Sequence, residues 1–233
     1  MGVGRSGDEH LREWAGLHRT DTPGGFVGGW LRAAGAAARP LARAGISPNA
    51  VTVAALVAAL AAVPFALVPG WAGPAAACVA VVVSGLLDSL DGAVAVQAGR
   101  ATEVGFLLDS VLDRLADAAF VAALAIVAGG DQAPWVAVAA GGAAWWLEYV
   151  RARGGLASAS AKPDAAPFGP QVITPGERPT RIVLTAVGLG LPPLALAALW
   201  GHVIIVGGSA LFLLGHFLRR LRSHDAGPPA PTA

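Results

Sequence analysis

Long apolar runs separated by glycine and proline dominate the pattern of this chain. Runs of bilayer-spanning length lie at about 50–69, 72–97, 103–129, 134–153, 181–199 and 201–218. Each approaches the ~20 apolar residues that a helix needs to cross the hydrocarbon core of a membrane. The predicted breaks between them fall at Pro69-Gly70, Gly99, Gly129-Gly130, Gly154-Gly155 and Gly201. The pattern therefore predicts an all-α integral membrane protein with six transmembrane helices.

Composition supports this class. Of the 233 residues, 55% are hydrophobic and 13% are charged, and the formal net charge is +1. So much apolar surface exceeds what one soluble core can hide, and the near-neutral charge gives no reason to expect a nucleic-acid partner. With Cys78 as its single cysteine, the chain has no disulfide framework.

The distribution of cationic residues predicts the orientation in the membrane. In a six-span arrangement they collect on one side, at Arg39, Arg43, Arg100, Arg151, Arg153, Lys162, Arg178, Arg181, Arg219, Arg220 and Arg222. The opposite loops, near residues 70, 131 and 200, carry only Asp131. By the positive-inside rule, both termini and the arginine-rich side face the cytoplasm of a bacterial-type cell membrane.

The segments outside the predicted spans differ in composition, and different structures are expected for them. Residues 1–24 are expected to be a cytoplasmic tail without a cleaved signal peptide. Residues 25–44 alternate Phe26, Trp30 and Leu31 with Arg32 and Arg39, which favours an interfacial amphipathic helix over a flexible tail. The Gly-, Ala-, Ser- and Pro-rich stretch at 154–180 predicts a cytoplasmic loop, and residues 220–233 predict a disordered tail.

Four aspartates interrupt the second and third apolar runs. Asp88 and Asp91 lie in D-x-x-D-G-x-x-A, and nine residues later Asp109 and Asp113 lie in G-x-x-x-D-x-x-x-D. Residues three or four apart share a helix face, and both pairs lie at the same end of consecutive antiparallel spans, so they can meet. A carboxylate in a membrane helix costs roughly 2.5–3.5 kcal/mol on insertion scales, so four of them need a compensating role.

Two interpretations of these carboxylates are open. As structural residues, they cap helix ends and pair with Arg100 or Arg114. As ligands, they hold a hard divalent cation, Mg²⁺ or Mn²⁺, because all the donors are oxygen and no His or Cys lies near them. Two ions are expected. The spacing favours the second interpretation, since Gly92 and Gly105 let a ligand or a facing helix approach the backbone closely.

The run from Asp88 to Asp113 resembles the signature of the CDP-alcohol phosphatidyltransferases. These integral membrane enzymes displace cytidine monophosphate (CMP) from a CDP-activated lipid or alcohol with a second alcohol. The resemblance covers both aspartate pairs, Gly92, Ala95 and Gly105, and I-S-P-N-A-V-T at 46–52 is similar to the start of the family's first span. It implies six helices after a juxtamembrane helix, with residues 45–219 as the membrane domain.

The resemblance also implies roles for individual residues. Asp88, Asp91 and Asp109 would be metal ligands, and Asp113 the general base for the acceptor hydroxyl, also touching metal. The nucleotide side would be lined by Thr52, Asp88, Gly92, Ala95 and Arg100. One position departs from the family, which usually has an arginine directly after Ala95 where this chain has Val96. Arg100, one turn further on, is the candidate substitute, and a different donor pocket is the alternative.

Four arginines flank the fourth and fifth spans on the side of the aspartates. Arg151 and Arg153 lie in Y-V-R-A-R, and Arg178 and Arg181 in E-R-P-T-R. A guanidinium group binds phosphate through two parallel hydrogen bonds. Both segments resemble those of actinobacterial phosphatidylinositol phosphate synthases, which implies a phosphorylated polyol acceptor, inositol phosphate ahead of glycerol phosphate. Arg153 and Arg181 are preferred as ligands; the alternative is that all four anchor the spans, with Glu148 pairing one of them.

The resemblance favours metal-dependent transfer of a phosphatidyl group from CDP-diacylglycerol to an alcohol, in phospholipid biosynthesis. A six-span cation transporter that uses the aspartates as an ion path is one alternative. A protein of this fold with altered or lost activity, because of Val96, is another. Small residues such as Gly141, Gly142 and Gly188 permit close helix packing, and the family resemblance implies a homodimer.

Overall fold

The computed structural model of the protein describes residues 25–161 and 172–225, together with residues 8, 9, 12, 13 and 15. This described part of the chain is helical and contains no strand. In chain order its helices are α1 (Gly25–Arg43), α2 (Pro48–Ala66), α3 (Ala72–Ala98), α4 (Glu103–Ala128), α5 (Ala133–Ala161), α6 (Arg178–Gly190), α7 (Ala195–Gly201) and α8 (Gly207–Asp225). A 3₁₀ turn at Pro192–Leu194 precedes α7, and a π-helical turn at His202–Val206 joins α7 to α8.

Local sequence explains where the helices that carry the aspartates begin and end. The Ser47 hydroxyl caps α2 by accepting from the Ala50 backbone N–H, and Pro48 occupies the first helical turn. Gly99 ends α3 in the left-handed region, at φ 63°. Only three residues later, Thr102 caps α4 by accepting from the Gly105 N–H at 3.0 Å. This tight reversal places the end of α3 beside the start of α4.

The break before the last long helix lies earlier than the sequence pattern predicts. The predicted fifth span at 181–199 ends at Gly190, and the predicted break at Gly201 is wrong, because helical structure continues from Pro192 through Ser223. Pro192 and Pro193 lack backbone N–H groups and cannot continue α6, whereas Gly201 is tolerated inside a helix. At the π-helical turn, the buried His202 ring bonds the Ala198 carbonyl through Nδ1 at 2.9 Å, which agrees with a packing role.

Two other helices end later in the chain than the sequence pattern predicts. Helix α5 runs to Ala161, inside the predicted 154–180 loop, and α8 runs to Asp225, beyond the predicted start of the tail at 220. Ala and Arg are good helix formers, so these segments extend the apolar spans as helix. A helix at Gly25–Arg43 matches the predicted juxtamembrane segment, although its position at the membrane interface stays a prediction. Most of residues 1–24 and all of 226–233 lie outside the described residues.

The interior is built from small side chains, and large apolar side chains cover the outside. A core of alanines with Phe120, Leu124 and Leu199 lies between α2, α3, α4 and α7, while α5 packs against α8. Large apolar residues such as Val138 and Ile204 are more than 60% exposed. An apolar exterior of this extent suits lipid and not water.

Three helical segments of the described chain are both long and apolar enough to cross a membrane. They are Pro48–Ala66, Ala72–Ala98 and Pro192–Ser223. Helices α4 and α5 have sufficient length, at 26 and 29 residues, but carry the charged side chains of the site, and α6 has only 13 residues. The protein is therefore an all-helical membrane protein, and the count of six spans stays a prediction.

Candidate metal centre and the charges around it

Three of the four aspartates meet in the structure. Asp88 and Asp91 lie on one face of the second half of α3, and Asp109 lies in the second turn of α4. One carboxylate oxygen from each of the three lies within 4.8 Å of the other two. We call Asp88, Asp91 and Asp109 the acidic cluster. The expectation that two consecutive helices bring their acidic ends together is confirmed for these three side chains.

The donors of the acidic cluster suit a hard divalent cation. Asp91 Oδ2 and Asp109 Oδ1 are buried and have no hydrogen-bond partner among the described residues. A buried carboxylate oxygen without a partner is costly, and a cation is the simplest way to satisfy several of them at once. Carboxylate oxygens are the ligands that Mg²⁺ and Mn²⁺ prefer. The residues present therefore fit a divalent metal ion.

The start of α2 supports the acidic cluster from one side. Thr52 is buried beside Asp91, and its hydroxyl donates a hydrogen bond to the Pro48 carbonyl at 3.2 Å. A Cβ atom at Gly105 would lie 3.2 Å from Asn49 Oδ1, so the missing side chain allows α2 and α4 to approach closely. The short polar motif at 46–52 thus contacts both helices that carry aspartates.

The other predicted nucleotide-side residues have different surroundings. Gly92 is exposed, and a Cβ atom there would meet nothing within 4 Å, so its space is open to a ligand and not required by packing. Ala95 lies one turn further on α3, half-buried. Val96 is buried at 3% exposure, whereas Arg100 is exposed in the loop after α3. Whether Arg100 replaces the family's arginine stays a prediction, since the two positions do not share an environment.

Asp113 lies beside the acidic cluster, between the side chains of two arginines. Its Oδ1 forms an ion pair with Arg178 Nη1, and the same Nη1 lies 3.1 Å from Asp88 Oδ1. On its other side, Asp113 Oδ2 lies 3.9 Å from Arg114 Nη2. Arg178 therefore joins Asp113 to the acidic cluster, and the four carboxylates exceed the guanidinium groups that reach them.

The four arginines predicted to bind phosphate do not form one group. Arg178 lies among the aspartates, and Arg153 is exposed. Arg151 pairs with Glu177 at 2.7 Å and with Glu148 at 3.5 Å. Arg181 is 2% exposed and pairs with Asp117 and Glu148. The predicted pairing of Glu148 with a neighbouring arginine is confirmed.

The sequence analysis did not identify the partners of Arg181 as a group. Asp117 Oδ2 lies 3.0 Å from Arg181 Nη1 and 3.2 Å from Arg114 Nη1, and Glu148 Oε1 lies within 3.4 Å of both arginines. We call Arg114, Asp117, Glu148 and Arg181 the charge layer. One signal was present: Asp113, Arg114 and Asp117 place three charges within two turns of an apolar helix, which is costly unless they are paired.

Glu177, just before α6, forms a second pairing point. Its Oε1 accepts hydrogen bonds from the Thr174 backbone N–H and hydroxyl, each at 2.9 Å, and from Arg151. Burial would raise the pKa of Glu177, but the hydrogen bonds from Thr174 and Arg151 outweigh burial and hold that pKa below its usual value. The carboxylate therefore stays ionised and fixes the loop before α6 to the end of α5.

A helical membrane fold with a carboxylate cluster that fits a divalent metal, beside buried arginines, is typical of membrane enzymes that act on phosphorylated substrates. Comparison with known proteins agrees. A sequence profile of the CDP-alcohol phosphatidyltransferase family matches residues 45–208. The chain belongs to this family and is a CDP-alcohol phosphatidyltransferase, a transferase of phospholipid biosynthesis.

Several characterised relatives are similar to the chain. It is 29% identical over 185 residues to a phosphatidylinositol phosphate synthase of Cutibacterium acnes, covering 78% of this chain and 84% of the relative. It is 32% identical over 205 residues to one of Mycolicibacterium smegmatis, covering 82% and 85%. An archaetidylinositol phosphate synthase of Aeropyrum pernix is 40% identical over 114 residues, which span 49% of this chain and 56% of that relative.

A solved structure of Mycobacterium tuberculosis phosphatidylinositol phosphate synthase has a similar fold. The form with CDP-DAG bound superposes with a TM-score of 0.57 at 25% identity, covering 87% of this chain and 98% of that one. The form in complex with manganese and citrate also has a TM-score of 0.57, covering 86% and 92%. The manganese complex and the acidic cluster together indicate divalent-metal use in the family.

Proposed function

We propose that this protein transfers a phosphatidyl group from CDP-diacylglycerol to a hydroxyl of a phosphorylated polyol and releases CMP. Inositol phosphate is the first candidate acceptor and glycerol phosphate the second. The observation that carries the proposal is the acidic cluster, whose buried unpaired oxygens lie in the family's motif. The inositol phosphate synthases among the relatives support the choice of acceptor.

Asp88, Asp91 and Asp109 would hold Mg²⁺ or Mn²⁺. Two ions are proposed, and Asp113 would be a further ligand. When bound, the metal neutralises the pyrophosphate of the donor and stabilises charge on the departing CMP. Thr52 lies beside Asp91 and would line the nucleotide, and the open surface at Gly92 would admit the nucleotide beside α3. Ala95 and Arg100 would border the same nucleotide.

Asp113 is the proposed general base. The bond between the acceptor oxygen and the donor phosphorus forms, the bond from that phosphorus to the CMP oxygen breaks, and the acceptor proton moves to Asp113. Because Arg178 contacts both Asp113 and Asp88, an acceptor phosphate bound by Arg178 would lie close to this base. Arg151 and Arg153, in the second half of α5, are the further candidates for this phosphate.

Membrane placement is part of the proposal. Residues 45–219 would form a membrane domain of six spans, α1 would lie on the cytoplasmic leaflet, and the site and both termini would face the cytoplasm. A homodimer is also proposed. The exposed face of α5 at Gly141 and Gly142 has open space and suits close packing, whereas a Cβ atom at Gly188 would lie 2.6 Å from Leu124 within the same chain.

The direct test is CMP release by purified protein in nanodiscs, with CDP-diacylglycerol and a panel of inositol phosphate, glycerol phosphate, inositol and serine. We expect release that requires Mg²⁺ or Mn²⁺ and is greatest with a phosphorylated polyol. Asp91→Asn should abolish it, and Asp131→Asn, at the other end of α4, is the matched control. CMP release that persists with a chelator would contradict the mechanism, and metal flux into liposomes without nucleotide would support a transporter instead.

A further inference from the structure

The charge layer is a set of paired charges, two of whose side chains are almost fully buried. The guanidinium of Arg181 binds two carboxylates at once, with Nη1 3.0 Å from Asp117 Oδ2 and Nη2 3.1 Å from Glu148 Oε1. The side chains of Arg181 and Asp117 are 2% and 3% exposed. This forked geometry fixes both the distance and the angle between the partners.

Arg114 completes the layer from a third direction. Its Nη1 lies 3.2 Å from Asp117 Oδ2 and 3.4 Å from Glu148 Oε1. Two guanidinium groups and two carboxylates, contributed by α4, α5 and α6, therefore neutralise one another. A fifth contact, from Glu148 Oε2 to Arg151 Nε at 3.5 Å, joins the layer to the next turn of α5.

The layer lies one helical turn from the groups proposed to perform the chemistry. Arg181 follows Arg178 by three residues on α6, Asp117 follows Asp113 by four on α4, and residues so spaced share a helix face. A fixed Arg181 therefore fixes the first turn of α6, on which Arg178 reaches Asp88 and Asp113. Arg114 is the chain neighbour of Asp113 itself.

We propose that Asp117, Glu148 and Arg181 are positioning residues that hold Arg178 and Asp113 in the geometry required for the phosphorylated acceptor. Arg181 is then not a ligand of the acceptor phosphate, although its place in E-R-P-T-R made it a preferred candidate. Both of its Nη atoms are engaged, and withdrawing it would leave the buried Asp117 with one of its two guanidinium partners, Arg114. The consequence for the acceptor rests on the proposed function.

A double-mutant cycle tests this proposal. We would compare Asp117→Asn, Arg181→Met and the double variant with wild type, and use Asp131→Asn as a control for loss of an aspartate outside the site. The KM values for inositol phosphate and for CDP-diacylglycerol are measured by CMP release. We expect the acceptor KM to rise about ten-fold or more in each single variant, as for residues that orient ligating groups, with the donor KM nearly unchanged. The double variant should be no worse than either single one.

Two results would overturn the proposal. If Arg181→Met raises the acceptor KM and Asp117→Asn does not, Arg181 itself binds the acceptor. If neither variant changes the acceptor KM while both lower the melting temperature, the layer only stabilises the fold. Should Asp117→Asn fail to fold, Glu148→Gln and Arg181→Lys replace it, because Glu148 is 27% exposed and Lys retains one ion pair.

A second readout does not depend on turnover. Inorganic phosphate should raise the melting temperature of the wild type and of Asp131→Asn, and should not raise that of the charge-layer variants, because Arg178 is then misplaced. Wild-type protein that is stabilised by phosphate but releases no CMP with any acceptor would contradict the proposed function while supporting this inference. Equal stabilisation of all variants would contradict the inference alone.

Discussion

The acidic cluster and the charge layer both include residues of α4, with Asp109 five residues before Arg114 and eight before Asp117, and they differ in their balance of charge. In the charge layer, the two carboxylates of Asp117 and Glu148 face the two guanidinium groups of Arg114 and Arg181, so its charges balance without a ligand. Some of its buried polar atoms, such as Asp117 Oδ1 and Arg181 Nε, still lack a hydrogen-bond partner among the described residues. In the acidic cluster, buried oxygens of Asp91 and Asp109 lack a partner among the described residues, and negative charge is in excess. The difference separates carboxylates that are paired with arginines from carboxylates that we propose bind a cation, although Asp109 and Asp117 lie on the same helix.

The largest expected effect is on the acidic cluster. Asp91→Asn should reduce CMP release below detection at any Mg²⁺ or Mn²⁺ concentration, because the variant loses a charged ligand whose Oδ2 has no hydrogen-bond partner among the described residues. Circular dichroism should show an unchanged helical content. Recovery of activity at high metal concentration would show that Asp91 is dispensable as a ligand and would weaken the contrast between the two regions.

The next effect concerns the proposed base. Asp113→Asn should lower kcat by about 10²–10⁴-fold, the usual contribution of a general base, while the KM for CDP-diacylglycerol changes little. Steady-state CMP release, with the metal held at saturation, measures both constants. A rise in donor KM with kcat unchanged would instead place Asp113 in donor binding.

Substitutions in the charge layer should lower the free energy of unfolding, because each one leaves a buried charge with fewer partners of opposite sign. Asp117→Asn leaves two guanidinium groups with one fewer carboxylate, and removal of one partner from a buried ion pair typically costs about 3–5 kcal/mol. Asp117→Leu combined with Arg181→Met should recover much of the melting temperature lost by Asp117→Asn in detergent. No recovery in the combined variant would mean that the pair does not behave as a unit.

A smaller effect is expected at Glu177, and its sign with pH follows from the lowered pKa. The ionised form stabilises the folded state above the unfolded pKa of about 4.3, and this contribution is lost as the pH falls through the lower folded value. Glu177→Gln should therefore lower the melting temperature at pH 7, and the difference from wild type should shrink below about pH 4. A difference that grows toward acid pH would contradict the assigned hydrogen bonds.

The smallest effects on stability distinguish two glycines. Gly92→Ala adds a methyl group where nothing lies within 4 Å, so the melting temperature should not fall. Gly105→Ala places a methyl group 3.1 Å from Thr102 Oγ1 and 3.2 Å from Asn49 Oδ1, so the melting temperature should fall slightly. If Gly92→Ala nevertheless raises the KM for CDP-diacylglycerol, the open surface at α3 is where the donor binds.

Regular spacing made the acidic cluster predictable. Asp88 and Asp91 are three residues apart, Asp109 follows after one tight turn, and Gly99 and Thr102 mark that turn. Helix geometry alone therefore brings the three side chains together. The oxygen-only donors, together with Gly92 and Gly105, predicted a divalent metal, and the resemblance to the family added the roles of the individual residues.

The charge layer and the break before α7 were harder to predict from the sequence. In the sequence, an arginine at the end of a span looks the same whether its side chain extends to the membrane interface or is buried in the protein. Arg181 is buried because Asp117 on α4 and Glu148 on α5 supply carboxylates that pair with it. The break before α7 was placed at Gly201, although the double proline at 192–193 is the stronger helix breaker.

The most direct test of the contrast is Mn²⁺ binding, measured by electron paramagnetic resonance on detergent-solubilised wild type, Asp91→Asn and Asp117→Asn. The account predicts that Asp91→Asn loses the bound Mn²⁺ signal, whereas Asp117→Asn, checked to be folded, keeps it. Mn²⁺ binding that survives Asp91→Asn, or that is lost equally in both variants, would contradict the claim that the acidic cluster is the metal centre.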